Sequence, residues 1–194
     1  MNLELKNCRL RSWYMDDAVS LQRYANNRNI WVNLRDIFPH PYTLADAHAF
    51  IEFVAQEKPE TTFAIATASE VIGCIGLKIG TDVHRKTAEL GYWLGEPFWG
   101  KGIMAEAVNV ITTYGFDHLD FIRVYAEPFA SNAASIRVLE RALFFYEGRL
   151  RAHVLKNGKL LDAVVYAKVR DSLQGARAIM QSKLQTNKNS QEKE

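Results

Sequence analysis

The feature that most restricts how this chain can fold is a change of period across a glycine loop. Thr87 to Leu94 (TAELGYWL) is a β-prone run, Gly95 to Lys101 follows, and a helical pattern extends from about Gly102 to His118. Met104, Val108, Ile111 and Gly115 share one face of that helix. The first N–H groups of such a helix have no partner inside it, and the helix dipole adds partial positive charge there. Gly100 and Gly102 remove side chains where a ligand would approach the backbone. The loop suits a phosphate or pyrophosphate; the alternative is a tight turn that needs positive φ at two glycines.

The phosphate-loop pattern GxxxxGK[ST] is absent, which argues against a nucleotide triphosphatase. Gly100-x-Gly102-x-x-Ala105 does fit a dinucleotide fingerprint, with Glu127 ending the next strand about 25 residues on. That reading has two defects. Five residues separate the strand from Gly100, where a dinucleotide fold turns at once, and the runs before the loop are hairpin strands.

Those earlier runs are Thr62 to Ala68 and Val71 to Ile79, joined by Ser69-Glu70. Before them, Leu3, Leu5, Cys8, Leu10 and Trp13 are spaced like a strand with one irregular step. Asp16-Asp17 cap a helix with Val19, Leu21, Tyr24 and Ala25. Asn26 to Tyr42 is aromatic, charged and broken by Pro39 and Pro41, too irregular for a regular element. Thr43 caps a helix whose face carries Ala47, Phe50, Ile51 and Val54. After the glycine loop come a short strand (Phe121 to Glu127), an amphipathic helix (Asn132 to Ala142), and two runs, Tyr146 to Leu155 and Leu160 to Val169. The turn Lys156-Asn157-Gly158-Lys159 makes that last pair a hairpin. The order predicts an α+β fold, and 194 residues that are 48% hydrophobic provide one domain with a buried core. From about Gln174 the composition predicts a frayed helix or disordered tail, so the expected division is 1–173 and 174–194.

The segment AELGYWLGEPFWGKGIMAEAV resembles the acetyl-coenzyme A loop of the GNAT N-acetyltransferases, and most closely their branch of ribosomal-protein N-terminal acetyltransferases. Further landmarks are LRSWYMDDA, NLRDIFPHPYT, and ASNAASIRVLERA followed by YEGRLR, so the resemblance covers residues from about 5 to 173. It implies a mixed, mostly antiparallel twisted sheet of about seven strands flanked by about four helices, with two strands splayed into the cleft for acetyl-coenzyme A.

The family's pyrophosphate loop maps to Trp99, Gly100, Lys101, Gly102, Ile103 and Met104. Trp99 stands where a polar residue is usual, and Met104 where a small one is usual, leaving less room beside the phosphates. The strand from Glu89 to Leu94, with Leu90, Tyr92 and Leu94, would pair its backbone with the pantetheine arm. For Trp93 ordinary packing is the expectation. Asn132 would bond that arm or simply cap its helix, and Arg137 and Arg141 are either near the 3′-phosphate or on a solvated face. An amine attacks the thioester directly, so the chemistry asks for a base and a proton donor rather than an enzyme nucleophile. Glu89 is the base candidate, its alternative being a strand-edge salt bridge. Relatives often carry a tyrosine where this chain has Leu139, which makes Ser135 the substitute proton donor or else a capping hydroxyl. Acceptor contacts fall to Arg35, Asp36, His40 and Tyr42. Leu143 replaces a glycine that permits a left-handed helix end, so a different local ending is expected.

The resemblance thus implies an acetyl-coenzyme A-dependent N-acetyltransferase acting on a primary amine: a protein N-terminus, a small amine or an antibiotic. A non-catalytic acyl-coenzyme A-binding module remains the alternative, motivated by Met104, Leu143 and the absent tyrosine. A net charge of +2 implies no nucleic-acid partner. Five histidines without paired ligand spacing predict no metal site. Cys8 and Cys74 read as reduced packed thiols, and no run is long and apolar enough for a signal peptide or membrane span, so a cytoplasmic monomer or homodimer is expected.

Overall fold

The computed structural model describes residues 2–170; the expected tail from 174 onward lies outside them. Eight strands form one sheet in the order β1-β2-β3-β4-β5-β6-β8-β7. They are β1 Asn2–Glu4, β2 Arg9–Arg11, β3 Thr62–Ala66, β4 Val71–Ile79, β5 Thr87–Leu94, β6 Arg123–Ala126, β7 Phe145–Lys156 and β8 Lys159–Val169. The helices are α1 Ala18–Ala25, α2 Arg28–Trp31, α3 Leu44–Val54, α4 Ile103–His118 and α5 Ala133–Arg141. Eight strands and five α-helices thus replace the expected seven and four.

The additions have local causes. The irregular step between Leu5 and Cys8 is a tight turn, closed by Leu5 N donating to Cys8 O at 2.9 Å, which divides one expected strand into β1 and β2. One turn of helix, α2, forms inside the segment read as irregular, because the Asn27 side chain accepts from Asn29 N at 2.7 Å and caps it. Elsewhere the sequence signals hold. Thr43 and Asp46 form a reciprocal capping box on α3. Asn157 and Gly158 take φ of 50° and 73° in the β7–β8 turn. Leu143 corrects an expectation: it adopts the left-handed geometry itself, at φ 60°, with its side chain 65% exposed. Cys8 and Cys74 are buried free thiols.

All neighbouring strands are antiparallel except β5 and β6. That parallel pair is joined by the α4 crossover and matches only at Thr87–Arg123, Ala88–Val124 and Glu89–Tyr125. Beyond Glu89 the strands part: β5 continues to Leu94 beside β4, while β6 ends at Ala126. Gly80 N donates to Thr87 O at 2.9 Å and Gly95 N to Ile72 O at 2.8 Å, so the odd-numbered residues of β5 are the ones bonded to β4. Leu90, Tyr92 and Leu94 therefore turn their backbone N–H and C=O toward the gap. On one face of the sheet Leu90, Leu94, Met104, Val108, Ile111 and Leu139 share a core; on the other, Leu21, Ala47, Ile51, Tyr42 and Cys74 do.

At the far edge β7 slips register twice against β8, between Tyr146 and Gly148 and between Leu150 and Val154. Within the second slip Ala152 sits at φ 49°, and its N–H donates to Asp162 at 2.8 Å. Arg149 donates to the same carboxylate at 2.6 Å.

Candidate functional site

A cavity of ≈ 1320 Å³ runs through the β5–β6 gap, from the glycine loop on one side to the segment after α2 on the other. Its first wall is the start of α4. Gly100 and Gly102 stand at φ 75° and 81°, and a Cβ at either would meet no atom within 4 Å. The backbone is thus bare and open. Glu106 N makes a helical bond to Gly102 O at 3.2 Å, so the N–H groups of 103, 104 and 105 have no partner within the helix. Gly102 is the N-cap and offers them no side chain. An anion would satisfy these donors.

Of the loop side chains, Trp99 and Met104 line the cavity and Lys101 does not. Trp99 packs back on the strand, its indole N–H donating to Leu94 O at 2.6 Å, so it braces the loop and uses one of the outward carbonyls. The Lys101 side chain does not line the cavity; its ammonium lies 5.4 Å from the centre of the Phe98 ring. Met104 is 6% exposed and packs in the core, and it also lines the cavity at the start of α4. Ile103 lines the cavity beside it.

At the gap itself the Asn132 side chain accepts from Ser135 N at 3.1 Å, which caps α5 and fixes where Ser135 points. The Ser135 hydroxyl lies 2.7 Å from the Tyr92 phenol oxygen. Burial pushes the Tyr92 phenol well above its ordinary pKa, against the opposing effect of Ser135, so the phenol keeps its proton at neutral pH. The pairing of Tyr92 with Ser135 was not foreseen. Arg137 and Arg141 line the cavity on the same helix.

On the opposite face Glu89 forms an ion pair with Arg35, its side chain 18% exposed against 58% for the arginine. The two expected roles, base and acceptor contact, are therefore joined in one pair that lines the cavity. The structure separates two other expected acceptor residues, Tyr42 and His40. Tyr42 lines that cavity too, although it is 4% exposed and packs on Phe38 with ring centres 4.9 Å apart, so it is a wall of the site that also belongs to the core. His40 stacks on Trp31 at 5.5 Å and lines neither cavity described here.

Asp36 has a partner that nothing near it in sequence announced. Lys156, 4% exposed at the end of β7, donates to it at 2.6 Å and lies 3.9 Å from the centre of the Trp31 ring. These contacts tie the α2 segment to the β7–β8 hairpin and close a second cavity of ≈ 290 Å³ next to the first, lined also by Glu127 and His153. Removing the carboxylate leaves a buried ammonium without its counter-charge. Asp36→Ala is expected to lower stability by about 2 kcal/mol, below the range for a fully buried pair because Asp36 is itself exposed. The double variant Asp36→Ala/Lys156→Met should recover most of it, as urea unfolding midpoints will show.

The geometry suits an extended ligand. The anionic end would meet the 103–105 amides, the arm would lie along the outward backbone of Leu90 and Tyr92, and the reactive end would emerge between Ser135 and the Arg35–Glu89 pair. Among the described residues no group of three or more His, Cys, Asp or Glu could hold a metal ion.

Comparison with known proteins agrees with this geometry. The chain matches the acetyltransferase (GNAT) domain family over residues 7–144. It is 30% identical over 170 residues to an uncharacterized N-acetyltransferase, p20, of Bacillus licheniformis, spanning 86% of this chain and 94% of the relative. It is 31% identical over 110 residues to the ribosomal-protein-serine acetyltransferase of Escherichia coli, spanning 57% of this chain and 61% of that one. Among solved structures, a ribosomal L7/L12 α-N-protein acetyltransferase in complex with coenzyme A superposes with a TM-score of 0.79 at 21% identity, covering 88% of this chain and 99% of the other, and shows the shared fold.

Proposed function

Since the chain belongs to the acetyltransferase (GNAT) family and acetyl-coenzyme A is that family's co-substrate, we propose that it acetylates the α-amino group of a polypeptide, with a small primary amine as the other acceptor class. The observation that carries this reading is the β5–β6 splay, which opens on the bare glycine loop at one side and on the Arg35–Glu89 pair at the other. Acetyl-coenzyme A supplies an acetyl group activated as a thioester. The protein binds and orients it through the 103–105 amides and the outward backbone of Leu90 and Tyr92.

Bond making and breaking then need two proton movements. The attacking nitrogen forms the new C–N bond and must shed a proton; Glu89 receives it, directly or through water. The C–S bond breaks, and Ser135, its hydroxyl oriented by the neutral Tyr92 phenol, relays a proton to the departing sulfur while taking one up from water in exchange. An α-amino group has a pKa near 7.7–8.0, so the base matters most below that range, where the amine is protonated. The ribosomal-protein-serine relative supports the polypeptide acceptor. Of the three departures that favour a non-catalytic binding module, Leu143 adopts the left-handed turn itself, while Met104 at the cavity wall and Leu139 in place of the tyrosine remain.

The test is release of free coenzyme A with N-terminal peptides and small amines; tight cofactor binding without turnover on any acceptor would favour the binding module. Glu89→Gln is expected to lower kcat, most at low pH, with coenzyme A affinity within about threefold of normal, under 1 kcal/mol. An unchanged pH–rate profile would leave Glu89 as a structural partner of Arg35.

A further inference from the structure

β5 is the fifth strand of eight, a position where helices and loops ordinarily cover both faces. Yet Gly91, in the middle of β5, is exposed, and a Cβ built on it would meet no atom within 4 Å. Its cross-strand partner is Gly76, kept bare by Thr62, whose Oγ1 lies 3.1 Å from where a Cβ would sit. Two adjacent glycines thus leave a patch of sheet without side chains, inside the main cavity. Phe38, Phe50 and Trp93 line the cavity around it. Ile37 and Phe53, 91% and 70% exposed, line it too, held out in water where they gain nothing until something covers them.

The charges narrow what that is. Three carboxylates line the cavity: Glu57, Glu89 and Glu127. Glu57 accepts from Thr61 N, Thr61 Oγ1 and Thr62 Oγ1, and Glu89 is paired with Arg35. Glu127 remains, with His153 3.9 Å away. Lys58 and Lys78 line the same cavity as Arg35. One ammonium can be accommodated; a second would meet cations and engaged carboxylates. We infer that the acceptor is a peptide whose first residue is apolar, its side chain lying on the Gly76–Gly91 floor, and that polyamines are rejected. This rests on the amine-acetylation reading above.

The test uses the full chain and four peptides that differ only in their first residue, Leu, Phe, Gly or Glu, together with spermidine. Release of coenzyme A should give kcat/KM for the Leu and Phe peptides at least tenfold above the other three acceptors. At Gly91 a Cβ meets no atom within 4 Å and φ is not positive, so Gly91→Leu puts a side chain on the floor, with thermal unfolding to confirm that the variant is folded. It should cost the Leu and Phe peptides at least ten times more in kcat/KM than the Gly peptide. Preference for spermidine, Glu or Gly, or an equal loss on all peptides in Gly91→Leu, overturns the inference. If no probe is acetylated, the transfer reading fails on its own. The groove is then judged by calorimetric binding of the Leu and Gly peptides to the coenzyme A-loaded protein, where tighter Leu-peptide binding lost in Gly91→Leu supports it and equal affinity overturns it.

Discussion

Gly102→Asp is expected to weaken coenzyme A binding at least tenfold, about 1.4 kcal/mol or more. Two effects act on affinity at this position, and a third, backbone strain, acts on the stability of the loop. Gly102 stands at φ 81°, where a side chain costs about 1–2 kcal/mol of backbone strain. The new carboxylate occupies the open space above the loop and takes up α4 donors that would otherwise hold the ligand's phosphates. Its negative charge repels the pyrophosphate at the helix end whose dipole favours an anion. Gly102→Ala separates these effects, because it shares the strain and lacks the charge; its loss should be several-fold smaller. Calorimetric titration of both variants, with thermal unfolding to confirm that each is folded, measures the difference. Unchanged affinity in folded Gly102→Asp would remove this loop from the site.

Tyr42→Ala should be the most destabilising single change proposed here, by about 3 kcal/mol or more, the range for deleting a buried aromatic side chain. Tyr42 lies in the core between α1, α3 and β4 and packs on Phe38, which in turn meets Trp93 at 5.9 Å. Its backbone N–H donates to Asn26 at 3.0 Å, and its carbonyl accepts from Gln22 at 3.4 Å, fixing the end of the irregular segment to α1. Burial pushes the phenol pKa far up, so the ring sits there neutral. Tyr42→Phe keeps the ring and should cost under about 1 kcal/mol. Denaturant unfolding of the two variants distinguishes this role from acceptor contact, which would leave Tyr42→Ala stable and raise only its acceptor KM.

The contrast between Gly102 and Tyr42 shows what the sequence could carry. The glycine loop was legible because its chemistry is local: strand, two glycines and helix start lie within consecutive residues, and backbone rules alone place the donors. The same holds for the Thr43 cap and the Asn157-Gly158 turn. The acceptor side was read less well. Asp36 meets Lys156 across 120 residues, a contact that no spacing rule anticipates. Tyr42 and His40 read alike as acceptor contacts in the sequence, yet tertiary packing buries one in the cavity wall and stacks the other on Trp31. Gly91 did leave a signal, a glycine inside a strand pattern, which marks a close approach. Its meaning depends on Gly76 lying beside it, and register is set only when the sheet forms.

The slipped register of β7 bears on how copies of this protein behave in crowded solution. A twelve-residue strand at the margin of a sheet offers its outer N–H and C=O groups as a template on which another chain's strand can add. Each slip against β8 breaks the run of evenly spaced groups, and Ala152 has already spent its N–H on Asp162. Arg151 stands exposed on the same strand, and Arg149 is held to Asp162 beside it. An incoming copy would find only short stretches in phase. The margin therefore resists open-ended stacking of sheet upon sheet, although Phe145 and Tyr146 remain 64% and 56% exposed there.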